Sequence, residues 1–461
     1  MGATERVASF IACTALDALP VAAIPKAKKA IADTFAAMLA GGRSEVSEPL
    51  LRYVQASRAS GTVPILGTGT STSPETAALV NGTFGHALDY DDVLSMIPGH
   101  PSTVILPALL ASFDDRRIDG RSFIEAYVIG VEVGGKIGLG MTNGHYQRGY
   151  HATGSLAIFC ALAALIKLHH ADVATAQHAF GIAGSMASGL RRNFGTMTKP
   201  LHAGLAARSA LTAWRLAACG FSAAPDILEA KDGLYSTLGV AGSDPDLTAG
   251  RLGRPFVIVD PGLSLKTFPC CYAMHRAIDG LLTLRAKLGF DAGAVEKVTC
   301  RVPPGGLQVL TYPRPATGLE GKFSLPYAMA AGILDGGYSL ATFTDDAVRR
   351  SDVSALYPRI DVHEDAACRG DDPEFEKRSS GSRGFVEVEV LLRNGRSERI
   401  RVDKAPGSPT REVSWEDLHR KFLDCARAST RIAEPRAQEA FEKIQRLEEL
   451  EDMGSLIELL H

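Results

Sequence analysis

Ionisable side chains concentrate in the stretch from Asn81 to Pro107, NGTFGHALDYDDVLSMIPGHPSTVILP. This stretch holds histidines and aspartates between two apolar runs: His86, Asp89, Asp91, Asp92 and His100. Charges beside apolar flanks need partners, and such clusters shift pKa values in active sites. We therefore predict acid–base chemistry here, with Asp89 pointing inward because it follows an apolar turn. Asp91 and Asp92 are expected to be solvated or to cap the next turn. The competing interpretation is an acidic loop in solvent between two helices.

Two further segments place a basic side chain where a helix begins. His151 lies in GYHATG, just before a long apolar helix, where backbone N–H groups attract anions. Lys199 lies in GTMTKPLHAG, and Pro200 disfavours a helical conformation for the residue before it. We therefore predict Lys199 at a loop-to-helix junction, outside the helix. Its apolar surroundings suit proton transfer or carboxylate binding. The competing interpretations are a histidine that only caps its helix and a lysine that is solvated.

A third basic segment is LKTFPCCYAMHRAID, which begins at Leu265. Lys266 is expected in an extended stretch before Pro269, and a helix should follow. His275 and Asp279 are four residues apart on that helix, so we predict that they pair. A packed histidine is the preferred interpretation of His275. The adjacent cysteines are more typical of small buried side chains than of nucleophiles.

Composition and short motifs disfavour several classes of function. The chain has 461 residues, of which 46% are hydrophobic and 22% charged, and its net charge is −3, without the dense basic cluster of a nucleic-acid-binding protein. Its eight cysteines form no C-x-x-C pair, which disfavours a structural zinc site and a disulfide framework. Reduced thiols predict a cytoplasmic protein. Neither a phosphate-binding loop nor a G-x-S-x-G motif occurs, so nucleotide binding is disfavoured.

Hydrophobic periodicity predicts a mainly α fold. The pattern predicts helices through about residue 268, several of them apolar on most sides. Strands are then expected at 295–302 and in a hairpin of 385–392 and 397–402, with helices between them. From Ser414 the pattern is helical again. We predict a large all-helical domain formed by both chain ends, residues 1–268 and 405–461, plus a smaller α+β domain at 269–404.

Six segments resemble the MmgE/PrpD family, in family order across most of the chain: NGTFGHALDYDD, GHPSTVILPALLA, GYHATGS, GTMTKPLHAG, LKTFPCCYAMHRAID and GKFSLPYAMAAGILDG. The resemblance implies small polycarboxylate substrates, no metal or organic cofactor, a smaller domain that acts as a lid, and a homodimer. Carried over by motif, the active-site positions fall on these residues: Asp89, His100, His151, Lys199, Lys266 and Tyr327.

The family contains 2-methylcitrate dehydratase, cis-aconitate decarboxylase and iminodisuccinate epimerase. Decarboxylase members carry a threonine where this chain has Val93, and a histidine where it has Cys271. The expected reaction is therefore a 2-methylcitrate dehydratase-like elimination of water by proton abstraction next to a carboxylate. An epimerase would need a second base, for which Tyr146 is the candidate. The family resemblance is also compatible with a cis-aconitate decarboxylase or with an inactive carboxylate-binding helical dimer. The predicted substrate-binding residues are Lys199, Lys266, Tyr327, Cys271 and His275.

Overall fold

The chain forms two compact units in the computed structural model, which describes residues 1–113 and 116–461. The first unit contains residues 1–192, 198–264 and 414–461, and the second contains residues 193–197 and 265–413. The predicted domain boundaries at 268 and 404 stay a prediction, because a compact unit need not fold independently as a domain does.

Helices make up most of the first unit and far more of the described chain than strands do, which confirms the predicted mainly α fold. In chain order they are α1 (Ala3–Cys13), α2 (Ala23–Gly41), α3 (Ser47–Ser57), α4 (Pro74–Ala87), α5 (Ser102–Leu110), α6 (Gly120–Met141), α7 (Gly144–Gln147), α8 (Ala152–Ser155), α9 (Ala157–Leu168), α10 (Val173–Gly184), α11 (Thr198–Ala218), α12 (Leu234–Leu238), α13 (Pro245–Gly250), α14 (His275–Leu288), α15 (Gly318–Gly321), α16 (Leu325–Asp335), α17 (Asp345–Val348), α18 (Ser351–Leu356), α19 (Trp415–Ser429), α20 (Glu434–Gln445) and α21 (Gly454–Leu460). Within the described residues, no helix is both long enough and apolar enough to cross a membrane.

Close helix crossings in the first unit depend on glycines. Helices α4 and α11 cross where a Cβ added to Gly82 would lie 2.8 Å from the Cα of Gly204. A Cβ on Gly204 would lie 2.0 Å from the carbonyl oxygen of Leu79, so a side chain on either glycine would force the helices apart. This crossing brings the first turn of α11 close to the last turn of α4.

The C-terminal helices belong to the first unit. Helix α19 packs against α2, where Lys421 Nζ donates to Asp33 Oδ1 at 2.6 Å and to the carbonyl oxygen of Tyr90 at 2.7 Å. Lys421 and Asp33 are both buried, so each charge has its partner inside the protein. Both chain ends therefore build the helical unit, and α19 also holds the loop that follows α4.

The strands are β1 (Val63–Ile65), β2 (Thr70–Thr72), β3 (Val295–Val302), β4 (Ile360–Glu364), β5 (Val386–Leu392) and β6 (Ser397–Val402). The first two form a short hairpin in the helical unit. The second unit holds a mixed sheet in the order β4-β3-β5-β6, with β3 and β4 parallel. Buried and half-buried side chains alternate along β5, as one covered face requires, and α14 packs on β5 and β6. The hydrophobic pattern does not predict β4, because this strand has too few apolar residues to show a strand pattern.

Candidate active site

The last turn of α4 leads into the acidic loop. Asp89 follows the helix with a φ of 51°, in the left-handed region, which aspartate tolerates better than most residues. Its backbone N–H donates to the carbonyl oxygen of His86 at 3.2 Å. This turn keeps the Asp89 carboxylate beside the end of the helix, and both residues are buried.

Lys199 reaches this turn from α11. It is the second residue of that helix, so the predicted non-helical conformation is wrong. Pro200 is compatible with the first turn because no intrahelical carbonyl precedes it to clash with the ring. Lys199 Nζ donates to Asp89 Oδ1 at 3.0 Å and to His86 Nε2 at 3.1 Å. The lysine is 4% exposed, so these contacts occur away from bulk water.

His86 connects the lysine to a second carboxylate. Its Nδ1 lies 2.9 Å from Asp91 Oδ2, and its Nε2 faces the ammonium group described above. A carboxylate accepts and an ammonium donates, so a neutral His86 with its proton on Nδ1 satisfies both contacts. Asp91 Oδ2 is also 3.3 Å from Nδ1 of His100, and that nitrogen donates to the carbonyl oxygen of Asp92 at 2.7 Å. His100 Nε2 lies 4.0 Å from Asp89 Oδ1.

The expectation that Asp91 and Asp92 are solvated is wrong, since both are fully buried. The loop runs among packed helices, and partners on those helices replace water. Asp92 accepts a hydrogen bond from the Ser102 hydroxyl and, at 3.4 Å, from the Ser102 backbone N–H, at the first residue of α5, although the N-cap position itself is Pro101. The Ser102 hydroxyl is in turn 2.6 Å from the Tyr127 hydroxyl. Burial raises the pKa of Asp92 to about 8, and the nearby charges of Asp33 and Asp91 add to the shift.

This raised pKa predicts a pH dependence of stability that Asp92→Asn should reduce. An unfolded aspartate has a pKa of 3.8, so the folded state holds one more proton between that value and about 8. The contribution of Asp92 is present at low pH and is lost as pH rises through this window. Chemical denaturation of wild type and Asp92→Asn from pH 5 to 9 should show the variant gaining relative stability with pH. A constant difference would show that Asp92 is ionised throughout.

His151 lies immediately before α8, beside His86. Its ring centroid is 5.7 Å from that of His86, and its Nδ1 lies 2.9 Å from Nδ1 of His202. Burial holds the pKa of His151 well below its usual value, and the positive charge of Lys199 adds to this effect. A neutral imidazole can accept a proton, so His151 is equipped to act as a general base.

The remaining predicted catalytic residue, Tyr146, lies on α7. The guanidinium carbon of Arg191 lies 4.4 Å from the centroid of its ring. The hydroxyl of a tyrosine can act as a base only when a neighbour promotes its ionisation. The role of Tyr146 as a second base stays a prediction.

Four predicted binding residues belong to the second unit. Lys266 is 1% exposed, and Cys271 is half-buried with its backbone N–H donating to the Lys322 carbonyl at 3.0 Å. Tyr327 is buried, its hydroxyl donates to the Thr342 carbonyl, and burial raises its pKa. A substrate-binding role for these residues and for His275 stays a prediction.

The predicted pairing of His275 with Asp279 is wrong. His275 Nε2 lies 3.3 Å from the carbonyl oxygen of Cys270, and Asp279 instead pairs with Arg411. The expectation considered only neighbours on one helix, whereas arginine offers two N–H groups to a carboxylate.

Two further histidines belong to the cluster, and the sequence patterns assign neither of them a role: His86, in the acidic stretch, and His202. Their spacing could have indicated that they belong to the site. His86 lies three residues before Asp89, and His202 lies three residues after Lys199, one helical turn along α11.

One set of side chains here has the composition of a metal site. Within the described residues, ligand atoms of His86, Asp89, Asp91 and His100 lie within 4.8 Å of one another. Lys199 Nζ, however, lies 3.0 Å from Asp89 Oδ1 and 3.1 Å from His86 Nε2. An ammonium at that position repels a divalent cation and occupies the same lone pairs. The arrangement is better suited to proton transfer than to metal binding.

A buried group of histidines, carboxylates and a lysine on a rigid helical scaffold is typical of acid–base enzymes. Comparison of the sequence with known protein families identifies the family of this chain. The MmgE/PrpD N-terminal domain matches residues 5–245, and the MmgE/PrpD C-terminal domain matches residues 268–448. The chain therefore belongs to the MmgE/PrpD family, which confirms the resemblance found in its sequence.

Curated relatives cover almost the whole chain. It is 25% identical over 469 residues to the cis-aconitate decarboxylase of Mus musculus. The aligned region covers 99% of this chain and 93% of that protein. It is 25% identical over 470 residues to the cis-aconitate decarboxylase of Homo sapiens, with 99% and 94% covered. The cis-aconitate decarboxylase of Aspergillus terreus is 25% identical over 487 residues, with 100% and 96% covered. These relatives agree with the prediction that the chain is an enzyme of the lyase class.

Proposed function

We propose that this protein is a cofactor-independent lyase that acts on a small di- or tricarboxylic acid. The observation that carries the proposal is the buried network in which Lys199 contacts Asp89 and His86, with His100 and His151 beside it. Membership of the MmgE/PrpD family and the names of the relatives support the substrate class.

The proposed reaction is the elimination of water from a 2-methylcitrate-like substrate. A neutral histidine, His151, takes the proton from a carbon next to a carboxylate. The electron pair forms a carbon–carbon double bond, and the hydroxyl group leaves as water after it receives a proton from an acid. His100 is the candidate acid in its imidazolium form, in which Nε2 carries the transferred proton while Nδ1 donates to the Asp92 carbonyl. Lys199 stabilises the negative charge that develops on the adjacent carboxylate.

Decarboxylation of cis-aconitate is the second candidate, because the relatives carry that name. It uses the same residue types: an acid protonates the double bond, and carbon dioxide leaves. Val93 and Cys271 stand where decarboxylase members have threonine and histidine, which favours dehydration. In the structure, Val93 pairs with Ser264 through backbone hydrogen bonds of 2.8 and 2.9 Å, so its side chain type is not required for this local fold.

Proton NMR in heavy water distinguishes these reactions. The purified protein is incubated with citrate, 2-methylcitrate, cis-aconitate and an aminodicarboxylate. Dehydration predicts an unsaturated product from 2-methylcitrate without loss of carbon dioxide. Loss of carbon dioxide from cis-aconitate supports the second candidate, and deuterium exchange without net reaction supports an epimerase. A folded protein that changes none of the panel would overturn the proposed substrate class and favour a binding protein.

Activity is expected to survive exhaustive chelation. The reason is that the Lys199 ammonium already contacts Asp89 and His86, the side chains that a metal would need. Turnover is compared before and after dialysis against a strong chelator, with a known metalloenzyme treated in parallel. Loss of turnover that a single divalent metal restores would contradict this expectation.

The resemblance to the family also leads us to propose a homodimer. The mass in solution should be about twice the chain mass of 48.9 kDa. Light scattering after size-exclusion chromatography measures it directly, and a monomer at the concentration of the activity assay would contradict the proposal.

A further inference from the structure

The histidine pair formed by His151 and His202 lies beside the proposed reacting groups. The two Nδ1 atoms are 2.9 Å apart, and the rings are tilted by 56° with centroids 5.2 Å from each other. Both residues are buried. A hydrogen bond between two imidazole nitrogens needs one donor and one acceptor, so the pair holds a single proton at this position.

The surrounding backbone is shaped around the pair. Gly189 has a φ of 138°, and its carbonyl oxygen accepts the backbone N–H of His151 at 3.0 Å. A Cβ on Gly189 would lie 3.5 Å from Cγ of His202. A Cβ on Gly154 would lie 2.3 Å from the Ser188 carbonyl oxygen and 3.3 Å from Cβ of His202. The segments that fix the backbone of His151 therefore also enclose the ring of His202.

Burial, with the neighbouring positive charges, favours neutral rings for both His151 and His202. Burial lowers the pKa of His202 to about 4, and the positive charge of Lys199 contributes. The pKa of His151 is lowered by burial first, then by Lys199 and by the histidines at positions 86, 202 and 100. Near pH 7 the two rings therefore share one proton between their Nδ1 atoms without a net charge.

We propose that His202 is a positioning residue that holds neutral His151 in one tautomer through the bond between their Nδ1 atoms. If His151 is the donor, its Nε2 has a lone pair and can act as a base. If His202 is the donor, Nε2 of His151 carries the proton and can act as an acid. This inference rests on the proposed function only in treating His151 as a proton-transfer group, because the hydrogen bond itself requires no substrate.

Nitrogen NMR of protein labelled with ¹⁵N-histidine tests the tautomer directly. The His151 signals are assigned by their loss in His151→Asn. We expect one pyrrole-type and one pyridine-type ring nitrogen that stay constant from pH 6 to 8. We also expect His202→Leu to move both shifts toward the average of the two tautomers. An averaged pair of shifts in the wild type, or protonation of His151 near pH 6.5, would overturn the inference.

Kinetics of two matched variants separate positioning from packing. Asparagine can place an amide near the position of Nδ1, whereas leucine fills the space without a hydrogen bond. His202→Leu should lower kcat by about 10- to 100-fold with little change in KM, as expected when a proton-transfer group loses its orientation. His202→Asn should recover most of that loss. Equal losses in both variants, or wild-type kcat in His202→Leu, would contradict the role of the hydrogen bond. If His202→Leu does not fold, the folded His202→Asn variant must retain the wild-type tautomer and most of the wild-type kcat.

These measurements separate this inference from the proposed function. A folded wild type that turns over none of the polycarboxylates but shows a single His151 tautomer refutes the reaction and supports the pairing. An active enzyme with an averaged His151 tautomer supports the reaction and refutes the pairing.

Discussion

Asp89→Asn is expected to lower turnover by about 100-fold or more while the protein stays folded. Asp89 is held at a φ of 51°, and its Oδ1 accepts a hydrogen bond from Lys199 at 3.0 Å. Asparagine tolerates the same left-handed backbone and can still accept that bond. The substitution therefore removes the negative charge with little change in shape. It also leaves the buried Lys199 ammonium without its partner, so the melting temperature should fall although the protein stays folded. Without this negative charge, Lys199 and His100 lose the carboxylate that stabilises positive charge on their side chains. The measurement is kcat on the accepted substrate, with melting temperature recorded in parallel.

Asp92→Asn is the matched control for this substitution. Asp92 is also buried, but its pKa is raised to about 8, so it is already neutral near pH 7 and asparagine resembles its native form. We expect a kcat close to that of the wild type. A larger loss at Asp92 than at Asp89 would mean that the wrong carboxylate has been assigned. Near-normal rates for both variants would remove the acidic loop from the chemistry.

Lys199→Met is expected to weaken productive binding by about 1.5–3 kcal/mol, the scale of a charge-assisted hydrogen bond. It should also destabilise the fold, because removal of one partner of a buried ion pair leaves the other charge without compensation, at a cost of about 3–5 kcal/mol. Lys199 and Asp89 are both at most 5% exposed at their side chains, so solvent does little to screen the change. The measurements are kcat/KM and the free energy of unfolding.

The double variant Lys199→Met with Asp89→Asn separates these two effects. Removing both charges should restore part of the lost stability, because no uncompensated charge remains in the interior. Activity should not recover, since both groups act on the substrate or on its proton. Unchanged kcat/KM in the single Lys199→Met variant would exclude the lysine from the site. Stability that falls further in the double variant would show that the pair is not the source of the effect.

Local patterns predicted much of the fold. Ser414 accepts the backbone N–H of Asp417 at 3.0 Å, as its position before α19 indicates. The hairpin of β5 and β6 turns at Asn394 and Gly395, where the chain needs a positive φ, and Gly395 has one of 82°. Such features depend on residues close in sequence. They are therefore visible before any tertiary contact is known.

The candidate site was only partly predictable, because its contacts join distant residues. His86 and Lys199 are 113 positions apart, and they meet because α4 and α11 cross at Gly82 and Gly204. No local pattern encodes that crossing. The burial of Asp91 was missed for a related reason: polarity predicts exposure on average, but a carboxylate can be buried where histidines supply its hydrogen bonds.

The central claim is that this cluster transfers a proton at a carbon next to a carboxylate. Its most direct test is the rate at which solvent deuterium enters the accepted substrate, measured by NMR for wild type, His151→Asn and His170→Asn. The amide of asparagine retains a polar atom near the Nδ1 position of His151 but removes Nε2. His170 is exposed and serves as the control. We predict that folded His151→Asn loses exchange by about 100-fold or more, while His170→Asn exchanges like the wild type. Exchange at the wild-type rate in His151→Asn would contradict the claim.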